Sequence, residues 1–210
     1  MARGLFITFE GGEGAGKSTQ IRRLAGRLAA LDHQVVTTRE PGGSPGAEAI
    51  RDLLVKGAVD RWSPLTETLL MFAARRDHLE RVIAPALGAG GLVLCDRFYD
   101  STRAYQGAGG GTAADLIQSL ERHVVGDLIP DLTLVLDLPV SVGLARAAAR
   151  GEGEARFEAK GAAFHERLRA GFLAIAAREP ERCVVIDADA PIEAVTEAVW
   201  GAVAPRLERP

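Results

Sequence analysis

The chain has 210 residues, with 25 Lys and Arg against 28 Asp and Glu and a formal net charge of -3. That length suits a single domain with a substantial core, the balanced charge offers no basic excess for nucleic acid, and no apolar run approaches membrane-spanning length. The two cysteines, Cys95 and Cys183, lie inside apolar runs and outside any metal spacing, which reads as buried thiols in a reducing, cytoplasmic compartment.

In chain order, β-rich apolar runs alternate with segments of helical spacing. Strands are expected at residues 5–9, 35–38, 92–95, 132–136 and 184–186, each short and nearly continuous in apolar residues, as strands buried on both faces are. Helices are expected at 18–31, 47–56, 64–89, 113–125, 140–150, 158–179 and 192–207. This alternation predicts an α/β fold of three layers: a five-stranded parallel sheet with helices on both faces. Ligands in such folds sit beyond the carboxyl ends of the strands. The N-terminus enters β-structure almost at once, so no signal peptide is expected. Residues 107–111 read as a local glycine loop. Residues 150–156, charged and with little to bury, read as a mobile break between two helices. No linker interrupts the pattern, so residues 1–210 are expected to form one domain.

The first strand runs into Gly11-Gly12-Glu13-Gly14-Ala15-Gly16-Lys17-Ser18-Thr19, which contains G-x-x-x-x-G-K-[ST], and a helical pattern follows. Strand, glycine loop and helix are the context that gives this motif its meaning. Glycines let successive backbone N–H groups turn inward as an anion nest, and the helix adds its positive dipole end. Lys17 would reach the β- and γ-phosphates, and Ser18 would bind Mg²⁺. The bland alternative is a glycine turn. With only three lysines in the chain, a chance match is on the order of one in a few hundred, so phosphate binding is the stronger reading.

The run at 92–95 ends in Asp96. That carboxylate could hold Mg²⁺ directly or through water, in the manner of a Walker-B Asp, or it could cap the next helix. Arg97 beside it reads as a phosphate-binding guanidinium. The chain has no asparagine, so an N-K-x-D guanine-reading motif is impossible. His33, His78, His123 and His165 match no triad or metal motif and are expected on the surface or on helices.

Four blocks in order carry a resemblance: the loop from Phe9 to Thr19; Thr38-Arg39-Glu40-Pro41-Gly42-Gly43; Asp96-Arg97-Phe98; and Ser101-Thr102 with Ala104-Tyr105-Gln106-Gly107. Over nearly its whole length the chain resembles the thymidylate kinases. These nucleoside monophosphate kinases have a P-loop NTPase fold and transfer the γ-phosphate of ATP to dTMP, giving dTDP, with Mg²⁺. The resemblance implies that Glu13 accepts a hydrogen bond from the sugar 3′-hydroxyl of dTMP and that Arg97 binds its phosphate. Arg51 is a second candidate for that phosphate, with a solvated helical arginine as its plain alternative. Arg75 would read a thymine carbonyl. The family usually stacks a Phe on the base one helical turn earlier; here that position is Met71, with Phe72 beside it. Pro41 would wall the base, Thr102 and Gln106 would offer hydrogen bonds to its edge, and Tyr105 would lie against C2′ of the sugar or serve as a core tyrosine.

The segment from Arg146 to Arg156 resembles the family's lid. The P-loop has Gly14 where one branch places a catalytic arginine, so this chain is similar to the bacterial type, whose arginines lie in the lid. Arg150 would then cover the ATP phosphates, with Arg146 one turn earlier assisting and Arg156 a weaker candidate. Lys17, Arg97 and Arg150 become the catalytic set, and Gly11 to Thr19 with Arg146 the ATP site. The loop at 187–191 would border the adenine. The family also implies a homodimer packed through helices. Two rivals remain: a deoxynucleoside kinase, for which Glu40 would serve as base, and a P-loop ATPase switch with no phosphate acceptor.

Overall fold

A computed structural model of the chain describes residues 3–58, 60–150 and 160–207. Five strands, β1 (Phe6–Glu10), β2 (Val35–Arg39), β3 (Leu92–Asp96), β4 (Leu132–Asp137) and β5 (Cys183–Asp187), form one sheet. Their order is β2-β3-β1-β4-β5 and every pairing is parallel, as the alternating pattern predicts. The central strands are buried on both faces because helices cover both. On one face Ile7, Phe9, Leu92, Leu94, Leu132 and Leu134 pack against Ile21, Leu24 and Leu28 of α1 (Lys17–Ala29). Val195, Val199 and Val203 of the last helix complete that layer. The alternate residues Phe6, Val93 and Cys95 point the other way, toward Leu79, Ile83, Leu87 and Phe98. This is the period-two alternation of a strand.

The edge strands depart from the expectation of burial on both faces. β2 is half-exposed, and Val185 of β5 is open to solvent. An edge strand has a neighbour on one side only, and its outer flank lacks the cover that the middle of the sheet enjoys.

The helical runs also differ in detail. After α2 (Pro45–Val55), the single helix expected at 64–89 is α3 (Pro64–His78), a π-helical turn Leu79–Ile83 and α4 (Ala84–Gly88). Pro85 has no N–H to donate and its ring presses on the carbonyl four residues back; the chain widens there, and Ala84 N–H reaches back to Leu79. The glycine loop expected at 107–111 is largely helical. The short α5 (Tyr99–Thr102) continues as a π-helical segment Arg103–Gly109. Then come α6 (Ala114–Val124), α7 (Val140–Arg150), α8 (Ala162–Arg178) and α9 (Ile192–Leu207). The break expected at 150–156 falls, but for the backbone of Arg150, outside the described residues.

The register sets the site. Phe9 stands opposite Asp96 and Glu10 opposite Val135, so the carboxyl ends of β1, β3 and β4 open on the same edge.

Candidate active site

The glycine loop leaves β1 and is seated on the rest of the fold by close backbone contact. Gly14 has φ +70°, and a Cβ there would stand 2.1 Å from the carbonyl oxygen of Gly143 in α7. A Cβ on Gly143 would in turn lie 2.5 Å from the carbonyl oxygen of Glu13. Only glycine at both positions permits this approach. Gly16, with φ +88°, opens α1, so the first N–H groups of that helix face the loop. Lys17 is buried and donates to the carbonyls of Gly11 at 3.2 Å and Gly12 at 2.9 Å. Burial and the nearby Arg97 lower its pKa against the pull of Asp96, Glu13 and Glu10.

Ser18 Oγ donates to Asp96 Oδ2 at 2.7 Å. Asp96 is not the cap of the next helix, since the residue before α5 is Phe98. The two expected Mg²⁺ ligands therefore meet. Among the described residues no group of three or more His, Cys, Asp and Glu is arranged to hold a metal ion. Mg²⁺ retains waters and takes one or two protein oxygens, and a hydroxyl beside a carboxylate fits that demand.

Arg97 sits at the junction of the loop and a second pocket. It is a non-glycine residue at φ +69°, and its N–H donates to Phe9 O at 2.9 Å. Its guanidinium donates to Gly11 O at 2.9 Å, Ser101 Oγ at 3.2 Å and Glu13 Oε1 at 3.0 Å, and lies 4.8 Å from the centre of the Tyr105 ring. The hydroxyl of Tyr105 donates to the same Glu13 oxygen at 2.6 Å. Burial alone would raise the Glu13 pKa, but Arg97, Lys17, the Tyr105 hydrogen bond and His165 together hold it near about 2. Tyr105 is also packed edge-on against Phe164 and Phe172, as a core tyrosine would be, and it borders the second pocket described next.

The second pocket is lined by Glu40, Pro41, Met71, Arg75, Arg97, Phe98, Ser101, Thr102, Tyr105 and Gln106. Met71 and Arg75, one turn apart on α3, both face it. Phe72 does not; its ring packs 4.9 Å behind the Arg75 guanidinium. Arg75 is held by Glu40 Oε2 at 2.7 Å and by Thr102 Oγ1 at 3.0 Å, which leaves its buried Nη1 with no hydrogen-bond partner among the described residues. A buried donor without an acceptor is costly, and this one belongs to a side chain lining an apolar pocket. Gln106 Nε2 donates to the buried Glu67 at 2.9 Å. Arg51 donates to the Pro41 carbonyl at 2.6 Å, which ties α2 to the pocket wall. Arg146 reaches the Ala188 carbonyl and Asp189 of the loop after β5. The side chain of Arg150 and all of Arg156 lie outside the described residues.

Two corrections concern residues the sequence undervalued. His78 and His165 lie on helices, as expected, but their side chains are buried rather than solvated. His78 bridges Glu40 Oε1 at 3.0 Å and Thr38 Oγ1 at 2.7 Å, which ties the last residue of α3 to the end of β2. Glu10 is the second. It is fully buried, accepts from Phe98 N–H at 2.7 Å and from the Ser101 hydroxyl at 2.6 Å, and so braces the strained backbone of Arg97. Burial, with the charge of Asp100 behind it, pushes the Glu10 pKa up to about 8. The available signal was position: Glu10 and Glu40 are carboxylates at the carboxyl ends of strands, where ligands of this fold class gather. Cys95 and Cys183 are free and buried, as expected.

Comparison with known proteins points the same way. The family model "Thymidylate kinase" matches residues 9–199. A thymidylate kinase of Caulobacter vibrioides is 71% identical over 207 residues, covering 99% of each chain. One from a Bradyrhizobium species is 58% identical over 98% of this chain and 92% of its own. The crystal structure of thymidylate kinase from Ehrlichia chaffeensis superposes with a TM-score of 0.78 at 35% identity, covering 96% of this chain and 99% of that one.

Proposed function

Because the chain belongs to the thymidylate kinase family, whose members phosphorylate dTMP, we propose that its 210 residues act as one kinase domain that draws the transferred phosphate from ATP. The observation that carries the reading is Arg97. Its guanidinium bonds both the glycine loop, at Gly11, and the wall of the second pocket, at Ser101. A cation there can hold an acceptor phosphate against the end of a donor triphosphate.

In this reading the loop N–H groups and Lys17 bind the ATP phosphates, with Arg146 and the 187–191 loop on the nucleoside side. Ser18 and Asp96 hold Mg²⁺, directly or through water, and the ion would neutralise charge on the β- and γ-phosphate oxygens. Arg97 and Arg51 take the dTMP phosphate. Pro41 and Met71 cover the thymine ring, Thr102 and Gln106 offer polar groups to its edge, and the unpaired Nη1 of Arg75 donates to a thymine carbonyl. Glu13, ionised and acceptor-only, takes the 3′-hydroxyl, and Tyr105 crowds C2′. The attacking group is a phosphate oxygen that is already anionic, so no general base is needed. The work left to the protein is alignment and charge stabilisation. Arg150, at the end of α7 and within the lid at 146–157, supplies charge over the transferring group.

The same facts count against a deoxynucleoside kinase. Both oxygens of Glu40 are engaged, by Arg75 and His78, and the carboxyl is buried, which leaves no free base. A homodimer is supported by Leu53 of α2 and Leu65 and Leu69 of α3, large apolar side chains left exposed on adjoining helices. A cytoplasmic compartment is consistent with two free thiols; among the described residues no helix is long and apolar enough to cross a membrane.

Assay of ATP and Mg²⁺ with dTMP, with thymidine and with no acceptor tests this function. ADP release should require dTMP. Equal turnover with thymidine, or without any acceptor, would overturn it.

A further inference from the structure

A second buried polar atom lacks a partner among the described residues. His165 of α8 is 3% exposed, and its Nε2 makes no hydrogen bond to any of them. It lines a small cavity with Gly12 and Glu13 of the glycine loop, Asp137 and Pro139 at the end of β4, and Arg169. Asp137 and Arg169 satisfy each other there in a two-point contact at 2.7 and 2.8 Å, so neither is the missing partner. Phe164 stands edge-on to the His165 ring, with centroids 5.4 Å apart, and fixes one side of it.

The other group in this cavity with spare capacity is Glu13. Arg97 and Tyr105 both bond its Oε1, and among the described residues no side chain donates to its Oε2. The carboxyl is ionised at neutral pH, since its pKa lies near about 2, so it can only accept. Arg97 and Tyr105 belong to the base pocket, and Glu13 belongs to this cavity. The bonded trio is thus the wall between the two. A nucleotide with its base in the pocket would present its sugar at that wall.

A hydroxyl both donates and accepts. Placed between these groups, it satisfies an acceptor-only carboxylate and an imidazole nitrogen that carries its proton. We propose that His165 is a specificity-determining residue, whose Nε2 donates to the sugar 3′-hydroxyl of the acceptor nucleotide while Glu13 accepts from it. This rests on the assignment of Glu13 to that hydroxyl. It adds a donor, supplied by the helix that follows the lid, which makes recognition of the hydroxyl two-sided.

The test compares kcat/KM for dTMP with that for 3′-deoxythymidine monophosphate. Wild-type protein should prefer dTMP by about tenfold or more, the worth of one to two hydrogen bonds. His165→Phe, which keeps the ring and removes the donor, should cost dTMP about tenfold more than it costs the 3′-deoxy analogue. His165→Gln, which restores an N–H, should recover much of the preference, an outcome that packing alone does not produce. An equal loss on both substrates, or an unchanged preference in His165→Phe, would overturn the proposal. Glu13→Gln separates the premise: a wild-type preference retained in that variant defeats the assignment of Glu13, whereas a preference lost in Glu13→Gln but kept in His165→Phe defeats His165 alone.

Discussion

Arg75 and Glu40 form a buried ion pair, Nε to Oε2 at 2.7 Å, with 2% and 4% of their side chains exposed. Removing one partner of such a pair leaves the other charge uncompensated. Glu40→Ala should cost about 3–5 kcal/mol of stability, read as a lower denaturant midpoint. It should also strip Arg75 and His78 of their anchor, so KM for dTMP should rise more than KM for ATP. An equal effect on the two substrates would mean that the pair does not hold the base pocket.

The 2.7 Å contact between Ser18 and Asp96 makes the metal dependence testable. Chelation with EDTA should abolish turnover, and Mg²⁺ should restore it. Asp96→Asn should raise the Mg²⁺ concentration for half-maximal rate by about 10-fold or more, in the range expected for loss of a group that orients or binds a metal. A variant with the wild-type Mg²⁺ dependence would return Asp96 to a structural role.

Gly143 is a spacer for chemistry that takes place elsewhere. In Gly143→Ala the new Cβ would meet the backbone of Glu13 at 2.5 Å, and a backbone cannot swing aside as a side chain can. Overpacking of this kind costs about 1–3 kcal/mol. The displaced loop should lower kcat by about 100-fold, since a shift on the order of 1 Å carries that penalty. Assay at a temperature where circular dichroism shows the variant still folded separates the two losses.

Glu10 gives stability a pH slope. Its folded-state pKa is raised from 4.5 to about 8, so across that window the folded chain binds more protons than the unfolded chain. Stability should therefore fall as pH rises from about 5 to 8, by roughly 3–5 kcal/mol if this group acts alone. Glu13, with its pKa lowered to about 2, acts oppositely: its contribution is present above about 4.5 and is lost only as pH falls toward 2. Glu10→Gln should flatten the slope between pH 5 and 8 in chemical denaturation. An unchanged slope would assign it to other groups.

The sequence alone determined the parallel sheet, the glycine loop at its place after β1, and the burial of the central strands on both faces. These follow from local rules: apolar runs of strand length, helical periodicity, and a motif whose spacing needs only short-range geometry. The family resemblance, added to those rules, put forward Glu13 and Arg75 beside Arg97 as candidate site residues. What the sequence left open was partnership. That Glu40 clamps Arg75 and His78, that Glu10 braces the backbone at Arg97, and that Met71 rather than Phe72 faces the pocket were decided by tertiary contacts: the end of α3 tied to the end of β2 through His78, and Phe98 and Ser101 bonded to Glu10 at the end of β1. The glycines at 107 and 109 read as a loop because isolated propensity favours one, yet the packing of residues 103–109 against α8 holds them in a helix. Residues 13 and 165 meet in one cavity across 152 positions of chain. No local pattern encodes such a meeting, because only the folded arrangement of β4, α7 and α8 brings the two segments together.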